Sequence, residues 1–240
     1  MFKPNYNSTY KEYANQSLDW IPGDSKKLYE RNLKSNYNLL KNNNWIDNSF
    51  TYKFNSHGFR CEEFTSKPTV MFLGCSRTCG IGLPVDTIWP ELVAKQLNMR
   101  CANLAQAGAS CDTAFRLCHG WIDIIQPKLV VLLEPPGIRF EMTSDTAIRF
   151  LSPSWWRKDS EYYDFVRDWS MDENNNYFNS LKNQFAIANL CTSKNIKYVS
   201  IDPASMIKID SARDLEHPGI LSNKRCAEHA IEQIGLCGRI

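Results

Sequence analysis

From Pro68 onward, short apolar runs alternate with stretches of helical periodicity, and this constrains the fold more than any other feature of the chain. The runs 69–73, 100–105, 128–133 and 197–201 are strand-length and mainly apolar, as expected of strands covered on both faces. Segments 86–97, 110–125, 177–194 and 221–234 read as helices. Ile88, Leu92, Val93 and Leu97 recur at helical spacing, as do Ala227, Ala230, Ile231 and Ile234. The alternation predicts an α/β domain over residues 67–240 with a parallel central sheet.

Two segments depart from the pattern. Residues 1–66 are rich in Asn, Lys and Tyr and read as a mostly irregular N-terminal extension packing on the core, with one helix near 26–40. Residues 135–175 are aromatic and charged, and too long for a simple connection, so they predict an insertion that forms a lid or side wall. Trp155, Trp156 and Tyr162 fall there and suit a sugar face or an acyl chain, although such residues equally serve as the core of an insertion.

Composition excludes several classes. The net charge of +2 over 240 residues calls for neither nucleic acid nor an anionic membrane. The longest apolar runs are strand-sized, which argues against a membrane span. Met1-Phe2-Lys3-Pro4 opens no apolar signal region, so a cytoplasmic or virion-associated protein is expected. The nine cysteines are odd in number and lack CxxC spacing, which predicts reduced, buried thiols rather than disulfides or a metal site. No organic cofactor is called for.

Chemistry concentrates in two places. Ser76 follows the first apolar run through Gly74-Cys75, at the carboxyl edge of the expected sheet, where ligands bind in open parallel sheets. Its hydroxyl can approach a carbonyl there and its own N–H can help hold an oxyanion; alternatively it only caps the next segment. His217 has Asp214 three residues earlier. In a turn the carboxylate can accept from one ring nitrogen while the other faces the serine. Gly23-Asp24-Ser25 sits in an irregular polar segment and reads as a turn that starts a helix at Ser25.

Gly74-Cys75-Ser76-Arg77-Thr78-Cys79-Gly80 resembles the first block of the SGNH, or GDSL-type, hydrolases. Asn103-Leu104-Ala105-Gln106-Ala107-Gly108-Ala109-Ser110 resembles the second, and Asp214-Leu215-Glu216-His217-Pro218 the last. The likeness spans residues 68–236, and Asn55-Ser56-His57-Gly58-Phe59-Arg60 resembles a lead-in seen before some such domains. It implies a flavodoxin-like three-layer α/β/α fold and esterase or acyl-transferase chemistry. Ser76 would be the nucleophile, His217 the base and Asp214 its orienting partner, with oxyanion donors at the N–H groups of Ser76 and Gly108. An O-acetylated carbohydrate, or another small ester, is the substrate class the likeness suggests.

Two positions depart from the family pattern. Cys75 replaces the Asp of Gly-Asp-Ser. In the third block, Glu134-Pro135-Pro136-Gly137-Ile138-Arg139 carries Pro136 where the oxyanion Asn is expected, and proline has no donor. Arg139 can substitute, since a guanidinium donates strongly to an oxyanion, or it is a salt-bridged surface residue. The rival to a serine esterase is a non-catalytic structural or binding protein that keeps the fold, for example in a virus particle. A thiol enzyme using Cys75 is disfavoured because no base is placed for it.

Overall fold

The structure, a computed structural model, describes residues 5–144, 147–152 and 163–236. In chain order its elements are β1 (Ser17–Leu18), α1 (Lys26–Ser35), α2 (Tyr37–Asn42), β2 (Tyr52–Lys53), β3 (Thr69–Leu73), α3 (Ser76–Cys79), α4 (Trp89–Gln96) and β4 (Arg100–Asn103). They continue with α5 (Cys111–Ile125), β5 (Leu129–Leu133), β6 (Phe140–Thr143), β7 (Ile148–Leu151), α6 (Tyr163–Met171), α7 (Glu173–Ser193), β8 (Lys197–Ile201) and α8 (Ile220–Leu236).

β3, β4, β5 and β8 form the parallel sheet, ordered β4-β3-β5-β8. Counted within the sheet that order is 2-1-3-4, the flavodoxin-like winding, and it reverses between β3 and β5. Alternate side chains of each strand enter opposite layers. Met71, Leu73, Val130 and Leu132 pack with Leu117 and Ile122 of α5 and Ile187 and Cys191 of α7. Val70, Phe72, Val131 and Val199 face α4 and α8, where Phe72 meets Trp89 edge-on at 5.2 Å. The result is the expected three-layer α/β/α arrangement.

The N-terminal region is largely irregular, as expected, but it holds two short helices rather than one. Asn36 ends α1 with φ −136°, off the helical region, and its side-chain amide donates to Asn32 Oδ1 at 3.1 Å. Asparagine is a poor residue for a helix interior and tolerates such non-helical backbone, so the run breaks there. The region packs closely on the rest: Tyr10, Ile21, Tyr52 and Phe54 bury against Cys79, Ile81 and Ala105, and Leu40 and Trp45 against Leu83, Ile88 and Ala212. After β5 the chain forms the antiparallel β6–β7 hairpin and α6. The eight described cysteines are free thiols, and all but Cys101 are buried. Among the described residues no helix is long and apolar enough to cross a membrane.

Candidate active site

β3 delivers Ser76 to the point where the strand order reverses. Gly74 makes the exit turn with φ +152°, and a Cβ there would lie 2.2 Å from Thr78 Oγ1 and 3.0 Å from the Leu133 carbonyl, so only glycine fits. Cys75 is the extended residue before α3 and is buried at 3% exposure. Ser76 follows as the first residue of α3 and is 8% exposed. Its carbonyl accepts from Gly80 N–H at 2.9 Å and Ile81 N–H at 3.2 Å, which closes a tight turn around the serine. Burial pushes the thiol of Cys79 up to about 11, so it stays protonated.

A second turn lies alongside. Gln106 N–H donates to the Gly74 carbonyl at 3.3 Å, and Ala109 N–H donates back to Gln106 O at 3.2 Å. Gly108 occupies the left-handed position of that turn at φ +82°, where glycine costs least. Asn103 ties the two turns together, donating to the Thr78 carbonyl at 2.9 Å and accepting from Ala105 N–H at 3.1 Å. Among the described residues, neither the Ser76 N–H nor the Gly108 N–H has a hydrogen-bond partner.

The Asp–His pair sits in a loop closed by the bridge between Ser211 and Pro218. Leu215 adopts φ +62°, a conformation unusual for a bulky residue, and this reverses the chain so that Asp214 and His217 face each other. Asp214 is 1% exposed. Its Oδ1 accepts from the N–H groups of Glu216 at 3.1 Å and His217 at 3.0 Å, and its Oδ2 from His217 Nδ1. The imidazole, at 22% side-chain exposure, keeps Nε2 free of Asp214. This loop touches the turn after the serine: Arg213 N–H donates to Gly82 O at 3.0 Å. The side-chain hydrogen bonds of His217 end at Asp214, and none among the described residues reaches Ser76 Oγ.

The third block departs from the family pattern in structure as well. Pro136 accepts at its carbonyl from Arg139 N–H at 3.2 Å and offers no donor. Arg139 is half-buried one residue before β6. Trp155, Trp156 and Tyr162 lie outside the described residues. Sequence reasoning missed Asp24, Asn32, Tyr52 and Arg213, buried polar residues around the site; the one visible signal was the position of Arg213 next to Asp214. Among the described residues no group of three or more His, Cys, Asp or Glu side chains could hold a metal ion.

No protein-family model matches the sequence. No curated protein matches it either. Solved structures similar to the chain include a lipolytic protein assigned to the G-D-S-L family from Desulfitobacterium hafniense DCB-2, at 12% identity and a TM-score of 0.37 over 68% of this chain and 98% of that one. Another is TesA, at 15% identity and 0.38 over 69% and 97%. A third is the acetyl xylan esterase Est2A from Butyrivibrio proteoclasticus, at 10% identity and 0.41 over 79% and 66%.

Proposed function

We propose that the chain is a serine esterase of the SGNH type, acting on small or carbohydrate esters and in particular on O-acetyl groups. One observation carries this reading. His217 Nδ1 is taken by a buried Asp214, which leaves Nε2 as the available nitrogen, on a loop bonded directly to the turn that follows Ser76. This is the tautomer-fixing arrangement that a serine nucleophile requires.

In the reaction, Ser76 Oγ attacks the ester carbonyl and its proton passes to His217 Nε2. The developing oxyanion is held by the N–H groups of Ser76 and Gly108, which have no partner among the described residues, with Arg139 as a third donor in place of the absent Asn. The tetrahedral species collapses, the alcohol leaves with the imidazolium proton, and an acyl group remains on Ser76. Water, deprotonated by His217, releases the acid and restores the serine. The Ser76–His217 contact closes when substrate binds, as catalytic hydrogen bonds commonly tighten in the complex. Trp155, Trp156 and Tyr162 would contact the sugar or acyl portion.

Turnover of p-nitrophenyl acetate tests the reading. Ser76→Ala should lower kcat by about 10⁴-fold or more with folding intact. Equal turnover in Ser76→Ala and wild type would sink it. Pro136, which removes one oxyanion donor, favours a second reading, a non-catalytic binding protein on the same fold. Absence of Ser76-dependent turnover on any acetyl ester, with retained binding of an acetylated glycan, would support that alternative.

A further inference from the structure

Gly23-Asp24-Ser25 forms the predicted turn, and Ser25 Oγ caps α1 by accepting from Leu28 N–H at 3.2 Å. Asp24 has a separate role. It is 1% exposed, and its Oδ2 accepts from Arg213 Nε at 3.1 Å, Arg213 Nη2 at 2.7 Å and the Tyr52 hydroxyl at 2.5 Å. That hydroxyl accepts in turn from Gly82 N–H at 2.7 Å. Burial, reinforced by the Asp24 charge, pushes the Tyr52 phenol well above its ordinary range, so it stays a donor. The Tyr52 hydroxyl and the Asp24 carboxylate therefore link the turn after Ser76 to Arg213, the residue preceding Asp214, beside the direct bond from Arg213 N–H to Gly82 O.

Other contacts run in parallel. Arg60 is 2% exposed and lies over the Tyr52 ring at 4.4 Å. It donates to the carbonyl of Cys79 at 3.0 Å, where α3 ends, and to those of Gly80 and Leu83 in the turn that follows. Asn32 Nδ2 donates to the Asp214 carbonyl at 3.1 Å, and Trp45 Nε1 to the Ser211 carbonyl at 2.7 Å. Arg213 stacks on Trp20 and Phe50 at 3.9 and 4.0 Å, which holds its guanidinium plane. Buried ion pairs stabilise little compared with well-packed apolar side chains. This network instead fixes two loops from distant parts of the chain against each other.

We infer that the N-terminal region positions the catalytic base relative to the nucleophile, with Tyr52, Asp24, Arg213 and Arg60 as positioning residues that hold the Ser76 turn and the Asp214–His217 loop in register. The inference rests on the esterase reading above. None of the four touches the reacting atoms. Their effect falls on the distance between Ser76 Oγ and His217 Nε2, where a displacement of about 1 Å can cost about 10²-fold in rate.

Tyr52→Phe removes one oxygen and keeps the ring under Arg60. In a variant that unfolds cooperatively like wild type, kcat on p-nitrophenyl acetate should fall about 10-fold or more while KM changes less than about twofold. The low-field proton NMR signal of His217 Nδ1–H, identified by its loss in Asp214→Asn, should shift or broaden. A folded Tyr52→Phe protein with wild-type kcat, or with that signal unmoved, overturns the inference. If Ser76→Ala retains full turnover, the esterase reading fails and the NMR signal alone decides the inference. If Tyr52→Phe does not fold, Asn32→Ala, which removes the bond to the Asp214 carbonyl together with the local one from the Asn36 amide, is read by the same two measurements.

Discussion

The N-terminal region and the segment after β5 both lie outside the four-stranded sheet, and they treat their side chains in opposite ways. The first is rich in Asn and Lys, yet Tyr10, Trp45, Tyr52, Phe54 and Phe59 are all buried. Its ion pair with the site loop, Asp24–Arg213, is almost sealed, at 1% and 3% exposure. The second is aromatic, yet Phe165 is 69% exposed, and Tyr177, Phe178 and Phe185 also face outward. The pair of Arg167 with Asp164 there is a surface contact. The interior ties of this segment run to α5: Glu141 of β6 receives Arg116, both side chains buried, and its N–H donates to Asp112 Oδ2 at 3.2 Å. Bulk composition therefore misleads in both directions. A polar segment becomes interior when each polar group finds a partner, and an aromatic one stays outside when nothing covers it.

Three measurements would break or sharpen this contrast. The largest effect belongs to Arg213→Ala, which leaves the Asp24 carboxylate buried without its partner. Urea unfolding should show a loss of about 3–5 kcal/mol, and a loss below about 1 kcal/mol would mean that water reaches the network. The next concerns the oxyanion donor proposed at the start of the outward-facing segment. Arg139→Ala should lower kcat by about 10²-fold, about 3 kcal/mol of transition-state stabilisation, with little change in unfolding. Arg139→Lys should recover only part, since an ammonium lacks the planar fork. Full activity in Arg139→Ala would leave the oxyanion to the N–H groups of Ser76 and Gly108 alone. The smallest effect belongs to Phe165→Ser, which should change stability by less than about 0.5 kcal/mol. A loss above about 2 kcal/mol would show that α6 packs against a surface and would collapse the contrast.

The sheet was legible because its strands are buried on both faces and so read as continuous apolar runs: β3 and β8 fall on the residues expected, and β4 and β5 within one or two residues of their expected ends. The Asp214–His217 bond was legible from a spacing of three residues. The β6–β7 hairpin was not, because Phe140–Thr143 and Ile148–Leu151 are short, half-exposed strands whose pairing is set by each other and by the Arg116–Glu141 tether. Gly23-Asp24-Ser25 was read as a turn, which is correct locally. That account could not reach the partner of Asp24, which lies 189 residues away, since no periodicity encodes a contact of that separation.

That separation also sets an order of events during synthesis. Trp45, Asn32 and Asp24 meet residues 166, 182 and 189 positions later in the chain. At about 5–20 residues per second, the ribosome needs roughly 10–40 s to supply those partners. Over that interval Trp45 and Leu40 lack Ala212, which completes the cluster that buries them, and such non-local closure is the slow part of folding. The bonds of the N-terminal region to the Ser211–Asp214 loop thus cannot form until that loop is made, and the region's Asn and Lys content favours hydration of the waiting chain until then.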